Sequence, residues 1–417
     1  LPPRFICANI NSMDSHPSPS QTGETVNIGL IGCGSRLRSV VQWLINEDLE
    51  RRIRVQSAYD PDPISCSALR EAFGQECRIT ASEEELVSDP RITWVFIGSW
   101  NCHHARHAIL ALDAGKHVFC EKPLATTLED CFAIRKAARK SGRVFAFGLV
   151  LRYSPHYQRI IEVIRSGAIG KIISFEFNET LGFNHGGYIF GNWRRERQNA
   201  GTHILEKCCH DLDLANWIIG SLPVRVASFG GRNFYLPENA RHAGRIGPNE
   251  KGRPAYGSWH DPHRRDPFDG HGDIYDNQVA ILEYANGVRA SFHTNCNAGM
   301  PERRFYICGT EGTLRADLVT GSIEIQKIGW NAQIEKIDLH LEDRGGDGHG
   351  GGDEVMARSM VETLLRGVAP LASVEDGIKS AIVAFGIDKA ADEGSVVDLR
   401  TMWKQAGIDP DDNDACK

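Results

Sequence analysis

Three places in the sequence put proton-handling or anion-binding groups where chemistry is feasible. The first is the corner Glu121-Lys122-Pro123, which ends the apolar run Val118-Phe119-Cys120. That run suits a short buried strand, and Pro123, lacking an N–H, stops any ladder. Lys122 then sits at the mouth of a parallel sheet, where open α/β folds bind ligands. Its ammonium can bond a reacting oxygen and stabilise a developing alkoxide. The ordinary alternative is a surface lysine before a proline. The second place is Glu206 and His210, four residues apart in a stretch that reads as one helix continuing through Trp217. Such a spacing puts both on one face. Histidine titrates near neutrality and can take an alcohol proton, while a carboxylate one turn back can orient the imidazole or bind a substrate hydroxyl. An exposed Glu–His pair would show the same spacing. The third is Gly32-Cys33-Gly34-Ser35-Arg36-Leu37, a G-x-G turn between an apolar run and a helical pattern. Two glycines there let the backbone approach a pyrophosphate at a helix N-terminus.

The elements that must position these groups alternate strand and helix. Strands are expected at 26–31, 53–59, 94–98, 118–120 and 144–149, with helices between them that end at Gly115 and Gly142. This is a doubly wound parallel sheet, a Rossmann domain over 26–150. Asp60 closes the second strand 26 residues past Gly34, near the spacing of the acid that bonds an adenosine ribose. A carboxylate there repels a 2′-phosphate. Leu37 replaces the third glycine of the fingerprint, which predicts looser helix–strand packing. Ser99, Asn101 and His104 follow the strand at 94–98 and join Gly32, Gly34, Ser35, Arg36, Asp60, Glu121 and Lys122 as candidate cofactor contacts.

Beyond residue 151 the periodicity changes. Strands at 171–179, 224–230, 276–284, 287–294, 303–308 and 321–327, with a hairpin signal at Ala285-Asn286-Gly287, predict an α+β domain with a large, mostly antiparallel open sheet over 151–352. Helices at 353–366 and 374–393, the second started by Ser373 with Asp376, should pack back on the first domain, within a C-terminal segment 353–417. Arg152 and Tyr153 follow the last strand of the first domain, and Trp193 and Arg194 precede the Glu206 segment; arginines and aromatics of this kind hold polyols, so all four are substrate-binding candidates, each with a structural role equally open. Residues 231–275 fit no element and read as a lid or a subunit contact. Their His260, His263 and His271 lack ligand spacing, and His203, Cys208, Cys209 and His210 diverge around a helix, so no metal is expected.

Together these pieces resemble the Gfo/Idh/MocA oxidoreductases, the family of glucose–fructose oxidoreductase and inositol dehydrogenase. The resemblance is carried by GLIGCGSR, ALDAGKHV followed by EKP, RYSPHY, RSGAIGKI and the acid–histidine pair, and it spans about residues 26–400. It implies a cis Lys122–Pro123 peptide and subunit packing through one face of the second sheet, in a homodimer or homotetramer. Leu37, Trp100 and Glu206 depart from it, standing where a small residue, a proline and an aspartate are common.

Bulk composition narrows the partners. A net charge of −7 gives no general attraction to nucleic acid or anionic membrane, and no run of 18 apolar residues exists. The twelve cysteines lie in core-like runs, which points to reduced thiols and a cytoplasmic location. Residues 1–25, rich in Pro, Ser, Asn and Thr, read as a flexible arm. The expected function is hydride transfer between a sugar, polyol or glycoside secondary alcohol and NAD, with NADP disfavoured by Asp60; Lys122, His210 and Glu206 are the expected catalytic residues. Two rivals remain open at this point: an NAD-retaining enzyme that cleaves glycosides through transient oxidation and elimination, and a non-catalytic ligand sensor.

Overall fold

The computed structural model describes residues 23–257, 259, 261–339 and 349–412. The arm expected over 1–25 lies outside them except for its last three residues, as does His260.

The first domain is a six-stranded, all-parallel sheet. Its strands are β1 (Val26–Ile31), β2 (Ile53–Tyr59), β3 (Arg78–Ile79), β4 (Ile92–Ile97), β5 (His117–Cys120) and β6 (Phe145–Phe147), in the order β3-β2-β1-β4-β5-β6. The helices are α1 (Ser35–Glu47), α2 (Pro63–Phe73), α3 (Glu83–Ser88), α4 (His104–Asp113) and α5 (Leu128–Ser141). Central strands buried on both faces need continuous apolar runs, which β1 and β4 have. Local signals set the helix ends: Asp62 caps α2, Ser82 caps α3, Thr127 caps α5, and Gly142 closes α5 in the left-handed region. The strand order reverses between β1 and β4, which opens a crevice at their C-terminal ends.

Leu37 does not loosen this domain. It is buried, and a Cβ added at Gly98, just past β4, would lie 2.6 Å from the Leu37 Cβ. The close approach of helix to strand is kept by a glycine on the strand side.

The second domain begins with α6 (Pro155–Arg165) and β7 (Ile172–Gly182). Four helices follow, α7 (Phe183–Phe190), α8 (Arg197–Ala200), α9 (His203–Glu206) and α10 (Cys209–Ile219), then β8 (Pro223–Gly231) and α11 (Arg241–Ile246). The rest of the sheet is β9 (Asn277–Tyr284), β10 (Arg289–Ala298), β11 (Arg304–Gly309), β12 (Gly312–Asp317), β13 (Ser322–Lys327) and β14 (Ile334–Asp338). After α12 (Gly352–Arg366) and α13 (Val374–Glu393), β15 (Val397–Asp398) and α14 (Arg400–Gln405) end the described chain. The nine strands run β14-β13-β12-β11-β7-β10-β9-β8-β15, and all pairs are antiparallel except β7 with β10. A parallel pair demands a long crossover. Here the crossover carries α7 to α10 and with them the acid–histidine segment. β9 and β10 alternate buried and exposed residues, the pattern of a sheet covered on one face. α12 packs on α1, and α13 lies against α5, α10 and β8.

Two expectations change. The helix expected to carry both Glu206 and His210 is broken: α9 ends at Glu206, α10 starts at Cys209, and Cys208 between them has ψ −1°. Residues 231–275 have little regular structure but a core of their own, in which Tyr235, Tyr256 and Phe268 pack with Phe190, Leu181 and Cys296. The Asp276 carboxylate accepts the N–H groups of Asn233, Phe234 and Tyr235 and so anchors the start of the segment. Its far side reaches the first domain, where His263 Nε2 lies 3.3 Å from the α2 cap Asp62.

Candidate active site

The glycine turn is shaped for an anion. Gly32 has φ +82°, and a Cβ there would fall 2.3 Å from the Ser99 nitrogen, so only glycine fits. A Cβ at Gly34 would meet nothing within 4 Å: the backbone borders open space there. No side chain caps α1, which leaves its first N–H groups for a ligand. Asp60 braces the turn, accepting the Cys33 N–H at 2.5 Å through Oδ2 and the Asp62 N–H at 2.8 Å through Oδ1. Burial raises its carboxyl above the ordinary value, against those two bonds.

Arg36 is held between two carboxylates. Its Nε donates to Glu121 Oε1 at 2.9 Å and its Nη1 to Asp353 Oδ1 at 2.6 Å, tying the turn to the β5 corner and to α12. Asp353 Oδ2 in turn lies 2.7 Å from His349 Nδ1.

At that corner the Lys122–Pro123 peptide is cis. Lys122 Nζ donates to the Glu206 carbonyl oxygen at 2.5 Å and to Glu206 Oε1 at 3.1 Å. Arg194 Nε donates to the same Oε1 at 3.2 Å, and Arg194 Nη1 to the Tyr188 hydroxyl at 3.0 Å. Burial alone would push the Glu206 carboxyl up; Lys122, Arg194 and Lys207 outweigh it and hold Glu206 well below the carboxylate range. Burial works to lower Lys122, and Glu206 together with Cys209 and Glu121 outweighs it, so the ammonium is held above its ordinary value and stays charged. The Arg194 guanidinium lies 4.4 Å from the centre of the Trp193 ring, which stacks on Trp100 from the first domain at 5.1 Å and 12°. Two domains thus close on the site with a charged cluster and an aromatic wall.

His210 is buried, and its Nδ1 has no hydrogen-bond partner among the described residues. Burial first, then Lys122, Arg303, His349 and Lys207, push it well below the ordinary histidine value. Because α9 and α10 are separate, Glu206 does not orient His210. Its carboxylate serves Lys122 and Arg194 instead, and the His210 ring lies beside that of His349, with centroids 6.1 Å apart.

Other sequence-derived candidates have protein partners of their own. His104 Nδ1 lies 2.7 Å from the Pro123 carbonyl and Nε2 3.1 Å from that of Ser99, so it clamps the corner to the end of β4. The Ser99 hydroxyl faces His107 Nδ1 at 2.9 Å, and Asn101 Nδ2 donates to the Ala200 carbonyl at 2.8 Å across the domain boundary. Arg152 and Tyr153 are not at the cleft. Arg152 is buried against Asp213, at 2.7 and 2.8 Å, and Asp376, at 3.0 Å; two buried carboxylates there require a buried cation. The Tyr153 hydroxyl accepts the Leu371 N–H at 3.1 Å, and burial pushes it up to about 12, which excludes it as a base near neutrality.

Sequence reasoning missed His349, Asp353, Tyr188 and Lys207. Lys207 Nζ lies 3.3 Å from Glu179 Oε1, part of a buried layer with Arg303 and Asp211 beneath the site. The signal for His349 and Asp353 was a second acid–histidine pair four residues apart, in the glycine-rich run that opens α12. Among the described residues no group of three or more His, Cys, Asp or Glu is arranged to hold a metal ion.

The doubly wound sheet with its glycine turn, joined to a large second sheet that covers the crevice, defines a NAD-binding oxidoreductase. Residues 26–149 match the model of the oxidoreductase family with NAD-binding Rossmann fold, and 157–315 that of the GFO/IDH/MocA C-terminal domain. The chain belongs to the Gfo/Idh/MocA oxidoreductase family. It is 25% identical over 429 residues to the putative oxidoreductase YteT of Bacillus subtilis (strain 168), covering 92% of this chain and 100% of that one. It is 26% identical to the 1,5-anhydro-D-fructose reductase of Ensifer adhaerens, over 89% of this chain and 98% of the other. The fold matches levoglucosan dehydrogenase in complex with NADH and levoglucosan, with TM-score 0.73, 22% identity, and coverage of 90% of this chain and 100% of that one. The relatives place the chain among NAD-binding oxidoreductases of the sugar and polyol dehydrogenase type.

Proposed function

We propose that this chain transfers hydride between a secondary alcohol of a sugar, polyol or glycoside and NAD, and that Lys122, Glu206 and His210 carry the reaction. The observation behind this reading is that the Lys122 ammonium, from the C-terminal edge of the parallel sheet, meets Glu206 at 3.1 Å from the other domain, with the buried imidazole of His210 close enough to feel the Lys122 charge.

The groups at the turn fit a dinucleotide. The backbone at Gly32, Gly34 and Ser35 would hold its pyrophosphate on the α1 N-terminus, Asp60 its adenosine ribose, and the Glu121–Lys122 corner would border the nicotinamide, which supplies the hydride acceptor. Lys122 donates to the reacting oxygen and stabilises the alkoxide. His210, kept neutral by burial and neighbouring cations, receives the hydroxyl proton on a ring nitrogen. Glu206 holds Lys122 in place and keeps it charged, and with Arg194 offers acceptors and donors to adjacent hydroxyls. The stacked Trp100 and Trp193 wall off water. Asp60 favours NAD over NADP, because its carboxylate repels a 2′-phosphate, and Arg36, the cation past the glycine turn, is engaged by Glu121 and Asp353.

The test is a panel of sugars, polyols and glycosides followed by absorbance at the reduced nicotinamide band. Net NADH formation on one of them is expected. Turnover of a glycoside with no net NADH would replace this reading with cofactor-recycling cleavage.

A further inference from the structure

The break in the acid–histidine segment has a physical cause in the layer beneath it. Lys207, next to Glu206, and Asp211, next to His210, stand four residues apart with opposite charges. On a continuous helix such a pair shares a face and bonds directly. Among the described residues no ion pair joins Lys207 to Asp211. Lys207 Nζ goes instead to Glu179 Oε1 on β7, at 3.3 Å. The same Oε1 takes Arg303 Nη1 at 3.1 Å, and Arg303, just ahead of β11, donates to both Asp211 oxygens at 2.7 and 2.6 Å. The result is a line of alternating charges, Lys207–Glu179–Arg303–Asp211, whose side chains are 13%, 4%, 5% and 0% exposed. The start of α9 rests on the same strands. His203 Nε2 lies 3.0 Å from the Thr294 hydroxyl, and Thr294 on β10 is the cross-strand partner of Glu179. Burial pushes the Asp211 carboxyl up, against Arg303; two bonds from one guanidinium to its two oxygens nevertheless call for the ionised form.

We propose that this line of charges is a positioning device for the reaction and that Lys207 is its central residue: by drawing Lys207 to β7 and Asp211 to Arg303, it sets the step between α9 and α10 that delivers Glu206 to Lys122 and leaves His210 on a separate helix. The proposal rests on the functional reading above for which residues react. Two pairings of the same four charges are open to the chain. With Lys207 on Asp211 and Glu179 on Arg303, residues 203–219 would run as one helix, and Glu206 would share a face with His210. With the pairing observed, the helix steps. Stability alone does not ask for four buried charges, since apolar side chains of similar volume often serve as well or better; such a cluster is suited to selecting one arrangement over another. Lys207 also acts through its charge. Against burial, it joins Lys122 and Arg194 in holding the Glu206 carboxyl well below the carboxylate range.

K207M removes the charge and keeps the length of the side chain. Glu179 keeps Arg303 as a partner, so the variant is expected to fold. The first readout needs no substrate. In crystals of the full K207M chain, Glu206 should have shifted so that its Oε1 lies beyond about 4 Å from Lys122 Nζ, the outer limit of an ion pair. The second readout is kinetic. K207M should lower kcat about 10-fold or more, since a misplacement of about 1 Å costs up to about 10² in rate, while NAD affinity stays within about twofold because the glycine turn is in the other domain. K207R, which keeps the charge, should recover most of the loss. A folded K207M chain with Glu206 unmoved on Lys122 overturns the proposal. So does a kcat within about threefold of wild type, or a loss that K207R does not reduce, because an ion pair that serves stability alone lowers Tm and spares the folded enzyme. If K207M does not fold, E179Q takes its place: it leaves Arg303 on Asp211 and releases Lys207 from β7, so the same shift and the same loss are expected, and their absence overturns the proposal. If the wild-type enzyme oxidises no sugar or polyol, the functional reading fails by itself, and the crystals still decide whether these charges hold the step.

Discussion

Lys122→Met keeps the length of the side chain and deletes its charge, so it separates chemistry from packing. Two effects follow. The transition state loses the ammonium that stabilises the alkoxide; losing a positioned group of this kind costs about 10²–10⁴ in kcat, or about 3–5 kcal/mol of barrier. The ground state changes less. Removing one partner of a buried ion pair costs about 3–5 kcal/mol when the other charge is stranded. Glu206 is not stranded, because Arg194 still donates to its Oε1 at 3.2 Å. A destabilisation of about 1–2 kcal/mol is therefore expected at pH 7. Its pH dependence has a definite sign. Glu206 is depressed in the folded protein, so its contribution is present above the unfolded glutamate pKa of about 4.3 and is lost as pH falls below it. The stability gap between wild type and variant should narrow below pH 4. The assays are steady-state NADH formation, NAD binding by fluorescence and urea melts at pH 7 and 3.5. Because the groups act together, the double variant Lys122→Ala/His210→Ala should be hardly slower than the slower single one. A Lys122→Met enzyme within threefold of wild-type kcat would refute the assignment of the ammonium to the reacting oxygen.

Glu206→Gln should lose less kcat than Lys122→Met and raise KM, since Lys122 keeps the Glu206 carbonyl as an acceptor; a larger kcat loss than Lys122→Met, measured on the same substrate, would contradict this. Comparison of kcat/KM for the two dinucleotides should favour NAD, and equal values or a preference for NADP would count against the role given to Asp60. Asp388, buried on α13 beside Thr202 and Gln278, is pushed up to about 7 by burial, so the folded state binds a proton that the unfolded state has released, and stability falls as pH rises from about 4 to 7. Asp388→Asn should therefore raise Tm relative to wild type at pH 8 and change it little at pH 4; the reverse order would show that the carboxylate is ionised in place. On the outer face of the second sheet, Phe229 on β8 and its cross-strand neighbour Val279 on β9 are exposed, as is Ile281, and we expect this face to form a homodimer. Light scattering should show a dimer for the wild type and a monomer for Phe229→Glu/Ile281→Glu; a monomeric wild type at micromolar concentration would refute it.

What could be read from the chain itself was whatever is encoded within a few residues. β1 and β4 are strands because the four-residue runs 28–31 and 94–97, free of polar side chains, suit burial on both faces of a parallel sheet. α5 and α13 start and stop where Thr127, Gly142, Ser373 with Asp376, and Gly394 say they should. The glycine turn, Asp60 and the Lys122 corner were visible for the same reason: each is a strand end followed by a residue with one conformational or chemical consequence. β12 and β14 were not visible, because GTLRAD and IEKID are short and polar and become strands only by pairing with neighbours already in place.

The partnerships within the site belong to tertiary structure. Glu206 and His210 sit on one helical face only if the helix is continuous; a break at residues 207–208 sends the carboxylate to Lys122, 84 positions away, and leaves the imidazole to face His349. Arg152 looked like a polyol ligand from its neighbours in the chain, yet Asp213 and Asp376 take its guanidinium. Leu37 looked like a packing defect until Gly98 supplied the missing space. In each case the deciding partner is distant in sequence. The energy that selects it comes from pairing charges and filling volume where water is excluded, and periodicity within a segment carries no information about that environment.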